Sequence, residues 1–156
     1  MNGMSKIVKT LTNISLPLII IFGLYVIAHG HLTPGGGFQG GAIVASGLAM
    51  VLVAYGSKWT ATKIKEKDLS ALESLGALMF ITVAFLGIVF GGMFFSNFIA
   101  GTDFLFGGIP LNGAADINSG GTLPLMNFAV GLKVIVGLFA IVFIMALAIG
   151  TKEEST

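Results

Sequence analysis

The chain has 156 residues, of which 55% are apolar and only 10% charged, against about 25% charged in an ordinary soluble domain. A mean hydropathy of +0.98 leaves too little charge for a soluble shell and too much apolar content for disorder. The net charge of +1 excludes a broad basic face for nucleic acid, and the lack of Cys excludes a disulfide, a thiolate nucleophile and a Cys-ligated zinc or iron–sulfur cluster on this chain. What remains is an all-α integral membrane protein, one membrane domain over residues 1–156.

Four transmembrane helices are expected, at about 8–28, 40–55, 69–95 and 125–149. Residues 10–57 hold no Lys, Arg, Asp or Glu, which is room for two spans with a tight turn. Residues 74–102 hold none either, and the last apolar region is broken only by Lys133. The first apolar segment is too long for a signal peptide and is followed by no small-residue cleavage site. Asn13 and Pro17 are candidates to bend the first helix. Asn13 also matches a glycosylation pattern, but it lies inside that helix.

Lys6 and Lys9 precede the first helix, Lys58, Lys63, Lys65 and Lys67 fill the second connection, and Lys152 follows the last helix. The connections 29–39 and 96–124 have no Lys or Arg. Positive loops stay in the cytoplasm, so both termini are expected there. The long outer loop 96–124 keeps Phe98, Phe104, Leu105 and Phe106 among its Gly, Asn and Asp residues. It is expected to fold back onto the membrane surface or onto a partner.

The first connection and the start of the second helix read HGHLTPGGGFQGG, residues 29–41. Gly35, Gly37 and Gly40 match G-x-G-x-x-G, but a dinucleotide site needs a preceding strand, and here a membrane helix precedes. The residue types read as a turn: Pro34 ends the approach and the glycines permit positive φ. Gly36-x-x-x-Gly40 and Gly37-x-x-x-Gly41 then let the second helix start in close contact with a neighbour, and Gly87-x-x-x-Gly91 offers the same on the third.

This run, Pro34, Gly35, Gly36, Gly37, Phe38, Gln39, Gly40 and Gly41 included, resembles the B subunit of the Mrp-type multisubunit sodium/proton antiporters. The same family occurs in the membrane arms of archaeal membrane-bound hydrogenases and sulfane reductases. The segments Asn112-Gly-Ala-Ala-Asp116 and Gly131-Leu-Lys133-Val-Ile-Val-Gly137 look like further family marks. The resemblance covers essentially the whole chain. It implies a small prokaryotic cell-membrane subunit, not an enzyme by itself and without a cofactor of its own. Its partners would be other antiporter subunits, and hydrogenase or sulfane reductase subunits in a redox-driven complex, with Na⁺ and H⁺ as the transported ions. A stand-alone antiporter subunit and a purely structural scaffold are the rival readings.

Lys133 is the sharpest candidate for an ion pathway. It lies about eight residues into the last helix, roughly 12 Å from its outer end, where a lysine costs at least about 2.5–3.5 kcal/mol. It either belongs to an ion path or is paired structurally. Aligning the last two helices end to end places Lys133 level with about Gly87, roughly 21 Å along the axis from Glu73. A direct bridge to Glu73 is therefore not expected. An acid of another subunit, Asp103 or Asp116 would be the partner, and Glu73 would cap the start of its helix at the interface. His29 and His31 suit a proton-responsive role or bonds to the turn backbone, and without a third ligand they make no metal site. Gln39, Asn97, Thr102, Asn112 and Asn118 offer oxygens to Na⁺, or equally to loop amides.

Overall fold

The computed structural model describes residues 3–102, 104–109 and 118–153, with side chains as far as Ile149. Five helices follow in chain order: α1 (Lys6–Ala28), α2 (Gly36–Tyr55), α3 (Ser57–Lys63), α4 (Glu66–Gly91) and α5 (Leu123–Glu153). α1, α2, α4 and α5 up to Ile149 are long and apolar enough to cross a membrane, and no strand occurs among the described residues. Helices are the natural spanning element because every backbone group is satisfied within the segment.

The bounds correct the expected ones in three places. α2 begins at Gly36 rather than near residue 40, because Gly35 takes a left-handed φ of 89° and the helix starts directly after it. α4 begins at Glu66 and ends at Gly91 rather than Phe95, because Gly92 (φ 75°) caps it and returns its N–H to the Ile88 carbonyl. α3 falls where the sequence reads as plain loop. Gly56 breaks the chain there, Thr60 Oγ1 donates back to the Gly56 carbonyl at 3.0 Å, and Trp59 stacks on Tyr55 with ring centroids 4.5 Å apart. α1 runs unbroken through Pro17, and Asn13 Oδ1 accepts a 2.8 Å hydrogen bond from the Tyr55 hydroxyl.

The spans lie in the order α1, α2, α5, α4. Gly40 sits against Gly23 and Ile27, and Gly47 against Ile19, so α1 and α2 are antiparallel. Gly37 sits against Asn127 and Gly41 against Gly131 and Val134, so α2 and α5 are parallel. Among the helices, α4 packs on α5 alone. The apolar core gathers Leu52, Leu69, Val136, Phe139 and Phe143, where the end of α2 and the start of α4 meet the second half of α5.

After Gly92 the chain turns back along α4, and the Phe95 N–H reaches the Ala84 carbonyl at 3.3 Å. A Cβ on Gly87 would meet the Ser96 amide at 2.7 Å. The Gly87/Gly91 pair therefore admits the chain's own return segment, not a neighbouring helix. Phe94 and Phe98 pack edge-on and tilted against Phe85 and Phe90 of α4. Phe104 and Leu105 stay exposed.

Candidate functional site

α5 carries the candidate site because its two faces meet different partners. On one face Gly131 and Val134 meet Gly41 of α2. On the other, Lys133 turns toward α4. Lys133 Nζ donates to Glu73 Oε1 at 2.9 Å. This corrects the expectation that Glu73 lies too far away. The helices are not aligned end to end. They meet at Gly76, where a Cβ would lie 2.9 Å from both the Ala129 carbonyl oxygen and the Lys133 amide nitrogen. Lys133 is thus level with Gly76, and Glu73 is one turn away. The Glu73 carboxylate also lies beside Gly137, where a Cβ would meet it in ordinary contact at 3.7 Å.

The residue that sequence reasoning misses is Gly76. Its signal is a glycine in an apolar helix three positions after Glu73, on the same helix face as that carboxylate. A glycine in such a place marks a close approach of another backbone.

The side chains of Lys133 and Glu73 are 49% and 41% exposed on the surface of this chain. Each nevertheless lies inside a span, Lys133 about 15 Å from the start of α5 and Glu73 about 10 Å from the start of α4. Beside them runs an apolar groove of about 270 Å³, lined by Gly76, Ala77, Phe80, Ile81, Ala129 and Val130 with Lys133 at its edge. Such a pair can hold charge of both signs inside a membrane at no net charge.

The glycine-rich turn is consumed mostly in packing. Gly36, Gly37, Gly40 and Gly41 are buried, Gly36 against Gly30 of the turn, Gly40 against α1, and Gly37 and Gly41 against α5. A Cβ on Gly40 would lie 2.6 Å from the Gly23 carbonyl oxygen, and one on Gly41 2.9 Å from the Gly131 carbonyl oxygen. Pro34, Phe38 and Gln39 remain exposed, with the Gln39 side chain folded over Gly35. His29 stacks on Tyr25 with centroids 5.4 Å apart, and His31 lies against Gly120, just before α5. The two imidazoles are held at the end where α1 passes into α2, away from Lys133. Among the described residues, no three His, Asp or Glu side chains are grouped to share a metal.

The loop oxygens are engaged locally. Asn97 Oδ1 accepts from the Thr122 amide at 2.8 Å, and its Nδ2 donates to the Gly120 carbonyl at 3.1 Å. Asn118 Oδ1 accepts from the Phe106 amide at 2.9 Å, and Thr102 Oγ1 donates to the Ile99 carbonyl at 2.6 Å. Asp103, Asn112 and Asp116 lie outside the described residues.

Residues 7–140 match the family described as a domain related to the MnhB subunit of Na⁺/H⁺ antiporter. The chain is 36% identical over 145 residues to an uncharacterized protein of Methanocaldococcus jannaschii, across 91% of this chain and 52% of that protein. It is 33% identical over 100 residues to the B subunit of a Na⁺/H⁺ antiporter of Bacillus subtilis, across 64% of this chain and 62% of that protein. The chain therefore spans about half the length of the archaeal relative and under two thirds of the bacterial one. Four apolar spans and this match make it a multi-pass protein of the prokaryotic cell membrane. The matched region runs from α1 through the Lys133 turn of α5, and on that extent the chain belongs to the MnhB-related family.

Proposed function

We propose that this chain is a small, non-catalytic subunit of a multisubunit Na⁺/H⁺ antiporter, working with other antiporter subunits and with both termini in the cytoplasm. The observation that carries this reading is the Lys133–Glu73 pair, a 2.9 Å ion pair inside two spans and yet on the surface of the chain. Ionisable groups at this depth belong to ion paths or protein interiors, not to lipid contacts. α5 couples that pair to the packed glycines of α2, so the subunit holds one wall of an ion path in place beside larger partners.

The same chain is a poor antiporter alone. Coupled exchange needs a cation site reached alternately from two sides, with inward carboxylates. Here the one carboxylate described in mid-span is already occupied by Lys133.

Two parent assemblies fit. The HGHLTPGGGFQGG run resembles the Mrp-type B subunit, whose family also occurs in redox-driven hydrogenase and sulfane reductase complexes, and we assign the chain to such a complex. The name of the Bacillus subtilis relative favours an antiporter standing on its own. In either assembly any redox centre sits on other chains.

Purification through a C-terminal tag, followed by mass spectrometry of the partners, tests this. Antiporter-like subunits together with metal-cluster proteins support the redox-driven assembly, and antiporter subunits alone support the exchanger. Recovery of this chain by itself overturns the subunit reading. The scaffold alternative is tested by Lys133→Ala. Normal assembly with sodium-dependent activity lost rules it out.

A further inference from the structure

We propose that the α4–α5 face around Lys133 and Glu73 is a subunit interface, covered by a transmembrane helix of a different chain that sets a neutral hydroxyl or carboxamide side chain against the ion pair. The proposal rests on the subunit reading and names the face and the chemistry that reading leaves open.

The face is unfinished as it stands. Among the described residues α4 packs on no other helix than α5, and the pair on that seam keeps nearly half its side-chain surface uncovered. Lipid tails offer neither donors nor acceptors, so charges in this position need protein or water over them. The depth of Lys133, about 15 Å from the start of α5, puts it out of reach of a lipid headgroup.

The pair also says what the covering group should be. A lysine ammonium has three donors, and among the described residues Lys133 uses one, on Glu73 Oε1. Among the described residues nothing donates to the second oxygen of Glu73, which remains an acceptor. The pair is neutral overall, so a further carboxylate or ammonium would bring an uncompensated charge into the span. A group that accepts from Lys133 and donates to Glu73 without charge completes both, and Ser, Thr, Asn and Gln do this. The adjoining groove is apolar, and its floor is Gly76 and Ala129, so a partner helix can approach closely with apolar side chains beside its polar one.

The test uses the assembled complex in native membranes. Benzoylphenylalanine replaces Ile81, an exposed wall of the groove, and in a parallel strain it replaces Val130 on the opposite wall. The expected result on irradiation is one major adduct to another subunit. Its crosslinked peptide should be a transmembrane segment with Ser, Thr, Asn or Gln within two helical turns of the crosslink. Adducts to lipid alone, to a second copy of this chain, or to a segment whose only polar residue there is charged would overturn the proposal. Those outcomes leave the subunit reading intact, because the complex has been recovered before irradiation. A chain that brings down no other subunit fails both at the first step, and one variant that does not accumulate is replaced by the other.

Discussion

Two seams of the molecule use glycine to bring helices together, with opposite outcomes. At α2, glycines on both sides meet α1 and α5 and the seam closes around them, with Gly36, Gly37, Gly40 and Gly41 all buried, while further along an apolar groove of about 350 Å³ opens between Ala45 and Leu138. At α4 a single glycine, Gly76, meets α5, and the seam carries an ion pair that stays nearly half exposed. The α2–α5 seam leaves only apolar surface open, which lipid tails can cover. The α4–α5 seam leaves charges open, and these are tolerable only in company. Helix association in lipid comes from close packing and polar contacts, not from a hydrophobic drive between helices, so the difference is one of completeness.

The strongest test of the closed side is Gly40→Leu. A Cβ alone would lie 2.6 Å from the Gly23 carbonyl oxygen and from Ile27 Cγ1, and neither backbone nor core has room to retreat. Overpacking here is expected to cost about 3 kcal/mol, the upper end of the usual range, and to lower the amount of chain in the membrane, with or without its partners. Immunoblots of membranes read this directly, and normal accumulation would break the comparison.

On the open side Glu73→Leu leaves Lys133 without its counter-charge. The expected cost is about 2.5–3.5 kcal/mol, that of a lone mid-span lysine. Adding Lys133→Met removes the charge as well, and stability should return to within about 1.5 kcal/mol, as for a tolerated apolar exchange. Thermal unfolding of the purified complex and of both variants gives this cycle. A double variant no more stable than Glu73→Leu would mean that Lys133 is held by something other than Glu73. Gly76→Ala is milder. Its Cβ would press on the Ala129 carbonyl at 2.9 Å and push α4 outward, for about 1–2 kcal/mol, with lower occupancy of the complex on native gels.

These residues also show what is legible in the sequence. The four spans are, because charge-free stretches long enough for a bilayer leave few alternatives, and the glycines of residues 36–41 announce close packing. The seam of α4 and α5 is not. Its register depends on which glycine faces the neighbour, and periodicity does not distinguish Gly76 from Gly87. End-to-end alignment chooses Gly87 and so separates Lys133 from Glu73. In the fold, Gly87 is taken by the returning chain at Ser96, and Gly76 sets the slide. The same return explains why the third span stops at Gly91. Phe95, bonded to the Ala84 carbonyl, lies beside the helix rather than in it. The loop amides are ambiguous for a related reason: Asn97 and Asn118 reach partners more than ten residues away, which composition alone does not pair.

The smallest effect expected is for Tyr55→Phe, at the opposite end of the closed side from the glycine turn. The Tyr55 hydroxyl donates to Asn13 Oδ1 at 2.8 Å, tying the end of α2 to α1. Deleting a single neutral hydrogen bond costs about 0.5–1.5 kcal/mol. The tie is not alone. The Met4 amide donates to the Ala54 carbonyl at 2.9 Å, Lys9 Nζ lies 5.5 Å from the centre of the Tyr55 ring, and Trp59 stacks on that ring. Phenylalanine keeps the ring and therefore the stack and the cation contact. The expected result is a shift at the low end of that range with assembly unchanged, read by thermal unfolding and native gels. A loss of assembly comparable to Glu73→Leu would mean that the α1–α2 end is also completed by a partner, and that the molecule has two open seams rather than one.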